Sequence, residues 1–107
     1  MEKNVLRVVF HVSNLEQIAR MQNNVNNLFK EDASAVISVV INGEAVTRFT
    51  KGNDTKLNPK ATYYLCHNSL MANQISTDDL LEGTVVTPSG VYRLALLQNE
   101  GYHYIKV

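Results

Sequence analysis

Strand-length apolar runs alternate with amphipathic or turn-rich stretches along the whole chain, and this order limits the folds open to it. Residues 5–12 (VLRVVFHV) and 35–41 (AVISVVI) are β-branched and nearly continuously apolar. Such runs suit strands covered on both faces, as in parallel sheets, and lack the strict alternation of a half-solvated sheet. Between them Ile18, Met21, Val25 and Leu28 recur at helical spacing, with Gln22, Asn23, Asn26 and Asn27 on the other face. Ser13 followed by Glu16 is a capping-box pattern that starts this helix.

The second half repeats the order. Asn42-Gly43 ends the second strand, residues 44–49 suit a short helix, and 51–60 (KGNDTKLNPK) read as a polar surface loop. A third strand spans 61–65 (ATYYL), followed by Cys66-His67-Asn68-Ser69 and a short helix through Leu70 and Met71. Residues 76–79 (STDD) start a helical turn that Gly83 stops, and 84–87 (TVVT) make a fourth strand. Pro88-Ser89 opens a helix through Val91, Leu94, Ala95 and Gln98, with Gly101 at its C′ position. Residues 102–107 (YHYIKV) form a fifth strand. The expectation is a single α/β domain over 1–107, its mostly parallel sheet joined by right-handed crossovers.

A chain of 107 residues is too short to divide into two cores. Ten basic and ten acidic residues balance, with no long basic run, so neither nucleic acid nor an anionic membrane surface is expected as partner. One cysteine cannot form an internal disulfide, and neither a signal-peptide h-region nor a membrane-length apolar run is present. The cytoplasm is the expected compartment.

In a parallel sheet all strand C-termini face one way, and ligands bind in the crevice beyond them. The residues expected there are His11 and Ser13, Asn42 and Gly43, Cys66 to Ser69, and Thr87 to Ser89. Four polar clusters distant in sequence should therefore share one rim. Cys66 is the sharpest candidate. Between a strand and a helix, its sulfur lies near unpaired N–H groups, a setting that favours thiolate. The other reading is a small buried hydrophobe, the ordinary state of a free cysteine.

His67 is adjacent to Cys66 in sequence, but neighbouring residues rarely point together on a strand, which favours a solvent-facing or structural role. His11 reaches the rim from the first strand, where bonding to loop backbone is the expected role. Ser89 suits an N-cap whose following amides can meet an anion. No dinucleotide, P-loop or nucleophile-elbow fingerprint occurs, so no cofactor is expected. His11, Cys66 and His67 lack metal-ligand spacing, so no metal is expected either. Asp78-Asp79 complements a helix N-terminus.

The segments VVFHV, VVINGEAV, YYLCHNSL and VTPSGVYRLALLQNEGYHYIKV span nearly the whole chain in order. Together they resemble a short, stand-alone member of the DsrE/DsrF-like family. Cys-x-Asn-Ser-Leu after a strand, combined with the PSG-to-EGY-x-YIK tail, is the most specific part. The resemblance implies a three-layer α/β/α sandwich with a five-stranded parallel sheet, assembled as homotrimers or hexamers. It also implies a persulfide on the cysteine that matches Cys66, received from a donor protein and passed to an acceptor. The supporting positions would be His11, Asn42, His67, Asn68, Ser69 and Ser89. The chain departs from many relatives at 51–60, which is short and polar in place of a longer helical segment bordering the cysteine site. The alternative is a non-catalytic oligomeric module that holds a small anion or a protein partner. Tyr63, Tyr64, Tyr102 and Tyr104 are the side chains that a monomer of this size would struggle to bury.

Overall fold

The structure is a computed structural model that describes residues 4–107. The described strands are β1 (Arg7–Val12), β2 (Val36–Ile41), β3 (Thr62–Cys66), β4 (Thr84–Thr87) and β5 (His103–Lys106). They form one sheet in the order β4-β3-β2-β1-β5, with every pairing parallel. The helices are α1 (Ile18–Glu31), α2 (His67–Ala72) and α3 (Gly90–Asn99). Short 3₁₀ segments at Leu15–Gln17, Gly43–Phe49 and Thr77–Asp79 complete the elements.

Side chains alternate across the sheet and feed two unequal cores. One face presents Val8, Phe10, Val12, Ile37, Val39, Ile41, Tyr63 and Leu65. Against it pack Ile18, Met21, Val25 and Phe29 of α1, Phe49 of the long 3₁₀ segment and Leu70 of α2. Phe49 is wholly buried, and truncation to alanine there would cost about 3–5 kcal/mol. The opposite face carries a smaller core, in which Leu94 and Leu97 of α3 cover Val9 and Val40, flanked by Tyr64 and Tyr102. Helices thus lie on both faces, as expected.

Several local expectations shift by a residue or more. The first helical segment starts one residue later than the Ser13–Glu16 pattern suggests. Gln17 Oε1 accepts from the amides of Ser13 at 2.9 Å and Asn14 at 3.1 Å, so Asn14 and Gln17 form the cap. Glu carries an equivalent oxygen, but Glu16 falls at the wrong phase. Phe29 takes the buried position assigned to Leu28, which is only half-buried. The sheet reaches Cys66, so the cysteine both ends β3 and caps α2.

The 51–60 segment has no helix, as expected, yet it is tied down. Leu57 packs on the large core, Asn58 N–H donates to the Tyr63 hydroxyl at 2.9 Å, and Gln22 of α1 donates to the Lys56 carbonyl at 3.0 Å. Gly101 sits at φ +93° just past α3, the left-handed conformation a C′ glycine supplies.

Candidate functional site

The register puts the predicted rim residues in line. Val12 aligns with Ile41, Ile41 with Leu65, and Cys66 with Thr87. Carrying the first two pairings forward by one residue sets Ser13, Asn42, Cys66 and Thr87 in one row across four strands. Residues in register on parallel strands point to the same face, here the face that α3 covers. Gly90, the first residue of α3, lies over this row. A β-carbon on Gly90 would meet Cys66 Cβ at 3.2 Å and Asn42 Cβ at 3.4 Å. Glycine lets the start of α3 come this close without the neighbours having to give way.

Cys66 is 6% exposed. Burial pushes its thiol up, but hydrogen bonds outweigh this and hold it below the ordinary thiol value. The donors, in falling order, are the Ser69 hydroxyl and the backbone N–H groups of Gly90, Ser69 and Asn68. The Ser69 hydroxyl is oriented by the Gly43 amide, which donates to Ser69 Oγ at 2.8 Å and leaves the O–H free to face the sulfur. Gly43 itself has φ +58°, and a β-carbon there would lie 3.0 Å from the Ser13 carbonyl oxygen.

The remaining predicted residues divide. Asn42 Oδ1 accepts from Ser13 Oγ at 2.8 Å and lies 3.0 Å from His11 Nε2. His11 Nδ1 lies 2.6 Å from the Tyr104 hydroxyl of β5. His11 therefore bonds to side chains, not to loop backbone as expected. The Asn42 bond orients a ring nitrogen that backbone carbonyls do not reach. Its imidazole is held below the usual histidine value by burial, against the opposing effect of the Asn42 bond and with help from the Lys106 charge.

Ser89 caps α3 by accepting from Tyr92 N–H at 3.2 Å, so its hydroxyl serves the helix. Asn68 contributes its backbone amide to Cys66, and its side chain is exposed. His67 makes no side-chain hydrogen bond among the described residues. No group of three or more His, Cys, Asp or Glu among the described residues could hold a metal ion.

Three participants escaped the sequence. Gly90 is a helix residue like any other until the sheet beneath it is known. Tyr104 lies at the wrong end of its strand for the C-terminal rim, and its length carries the hydroxyl forward to His11. Arg93 stacks its guanidinium 4.7 Å from the Tyr64 ring centre and donates from Nε to Thr87 Oγ1 at 3.3 Å. It thereby places a cation beside the row that holds Cys66. The single available signal was the helical step from Ser89, which puts Arg93 one turn into α3.

No helix among the described residues is long and apolar enough to cross a membrane. No curated protein matches the chain. Among solved structures, it is similar to MTH1491 from Methanobacterium thermoautotrophicum, a protein of unknown function. That likeness has a TM-score of 0.86 and 29% identity, over 95% of this chain and 99% of the other. The ychN protein from E. coli shares the fold at a TM-score of 0.75 and 13% identity, over 95% and 100% of the two chains. The family model for the DsrE/DsrF-like family matches residues 3–107, and with its parallel sheet and cysteine rim the chain belongs to that family.

Proposed function

We propose that Cys66 is a persulfide carrier in a sulfur relay. The observation that carries this reading is the set of donors around one sulfur: the Ser69 hydroxyl and three backbone amides hold the thiol below its ordinary value despite burial. A thiolate so held attacks the outer sulfur of a donor protein's persulfide. A sulfur–sulfur bond forms at Cys66, the donor's sulfur–sulfur bond breaks, and the donor leaves as thiolate. The same sulfane sulfur then passes to an acceptor thiolate by the reverse step, with no net oxidation. The amides that hold the thiolate also suit the persulfide anion.

Loading with a cysteine desulfurase and cysteine tests the reading. One sulfur atom per chain is expected by mass spectrometry and should be absent in Cys66→Ser. Absence of the shift in the wild-type protein would overturn it.

The burial of Cys66 favours a second reading, a non-catalytic oligomeric module. Val91 and Tyr92 on the first turn of α3 are 71% and 62% exposed, and Val85 of β4 is 46% exposed. Large apolar side chains left in water on adjoining segments suit contact with further copies of the chain. Assembly as a homotrimer or a pair of trimers is compatible with either reading. Of the four tyrosines first considered for such a surface, only Tyr104 is exposed. Tyr63 is buried in the large core, and Tyr64 and Tyr102 flank α3.

A further inference from the structure

The Tyr104–His11–Asn42 chain has two self-consistent hydrogen-bond polarities, and they leave opposite ends of the Asn42 amide unbonded. In one, Tyr104 O–H donates to His11 Nδ1, His11 Nε2–H donates to Asn42 Oδ1, and the Asn42 NH₂ is left over. In the other every proton is reversed, and the Asn42 carbonyl is left over. Three features favour the first. Asn42 Oδ1 faces β1, 2.8 Å from Ser13 Oγ and 3.0 Å from His11 Nε2, which are themselves 3.2 Å apart. The Tyr104 contact is 2.6 Å, short for a bond in which a phenol is the natural donor and an imidazole nitrogen the natural acceptor. Asn42 Nδ2 has no hydrogen bond among the described residues. Its strand neighbour on the side away from β1 is Cys66, in the same row and under the same glycine.

We propose that Tyr104 and His11 are positioning residues that lock the Asn42 side chain with its NH₂ toward Cys66, making Asn42 a hydrogen-bond donor to the sulfur anion held there. The proposal deepens the sulfur-carrier reading and rests on it for the anion's identity. It also gives the edge strand β5 a part in the site. Lys106, aligned with His11 in the register, is the charged group whose field reaches the ring. It favours the neutral imidazole that this polarity needs.

Two measurements on the full chain test it. Long-range ¹H–¹⁵N correlation spectra of His11 should show a proton on Nε2 and a free-acceptor Nδ1, and Tyr104→Phe should erode that preference. The pH profile of Cys66 alkylation by iodoacetamide should move to higher pH in both Tyr104→Phe and Asn42→Leu. Leucine matches the size of asparagine and removes the NH₂ without adding a charge beside the thiolate. At pH 7 the Asn42→Leu protein should react roughly tenfold more slowly, as expected for loss of one donor to an anionic sulfur.

Tyr104→Phe removes one oxygen from an exposed strand, so it keeps the test open if Asn42→Leu fails to fold. An Nδ1–H tautomer, or an unmoved alkylation profile in a folded variant, would overturn the proposal. If sulfur loads from the desulfurase while these profiles stay flat, the positioning role alone fails. If the profiles move as expected and no sulfur loads, the carrier reading fails and the positioning of Asn42 stands.

Discussion

Gly90 and Cys66 stand closer than side chains usually do: a β-carbon on the glycine would lie 3.2 Å from that of the cysteine. The lack of a side chain at position 90 lets the first turn of α3 bring its amide onto the thiol without displacing the sheet.

Gly90→Ala should loosen this contact. The added methyl meets Cys66 Cβ, Asn42 Cβ and Val40 Cγ1 at 3.2–3.5 Å. Two of these atoms are fixed directly to sheet backbone and cannot rotate away. Overpacking of this kind costs about 1–3 kcal/mol, offset in part by the gain of about 0.5–1 kcal/mol when alanine replaces glycine in a helix. Urea denaturation should show a net loss of about 1 kcal/mol. Cys66 alkylation should move to higher pH as the Gly90 amide withdraws. A variant as stable as the parent, with an unchanged profile, would contradict the close approach.

Ser69→Ala removes the foremost donor to Cys66 and strands the Gly43 amide that oriented it. The alkylation profile should again move upward, with a stability loss of about 1 kcal/mol. Ser69→Thr keeps the hydroxyl and should restore the profile. Equal profiles for alanine and wild type would remove Ser69 from the site.

Stability should rise with pH in two windows. Cys66 has a folded-state value depressed below the ordinary 9.0. Its contribution is complete above that ordinary value and is lost as pH falls through the folded one. His11 is depressed below 6.5. The unfolded chain takes up that proton first, so stability falls as pH drops below about 6.5 toward the folded value. Denaturation across a pH series should show both limbs. Cys66→Ser should flatten the alkaline limb and His11→Gln the acid one. A limb that persists in its variant belongs to another group.

The apolar side chains on α3 predict assembly. Light scattering at micromolar concentration should give a trimer or a hexamer, and Val91→Asp combined with Tyr92→Asp should give a folded monomer. A monomeric wild type would refute the oligomer.

The strands and the rim were legible because their signals are local or follow from parallel topology. β-Branched runs at 35–41 and 84–87 mark strands by composition, and the C-terminal rim rule then brings Asn42, Cys66 and Thr87 together. Hydrogen-bond phase was less legible. Glu16 and Gln17 offer the same acceptor oxygen, and only the position of Asn14 decides which one caps. Tyr104 could not be found in this way, because its role depends on strand β5 returning beside β1, a pairing that crosses the whole chain. Whether Cys66 is buried or reactive was left open by the sequence. The structure shows the burial, and the same neighbours that exclude water donate to the sulfur and hold its thiol below the ordinary value.

The sheet order has a consequence for the history of each molecule. β5 is the last strand made, yet it lies beside the first, and α3 must travel from one sheet edge to the other to deliver it. Cys66 precedes in the chain the segment that supplies Gly90 and Tyr104. Until that segment docks, the thiol has only the donors of its own helix start, Ser69 and Asn68, and docking adds the Gly90 amide, the cover of α3 and the line to the far edge.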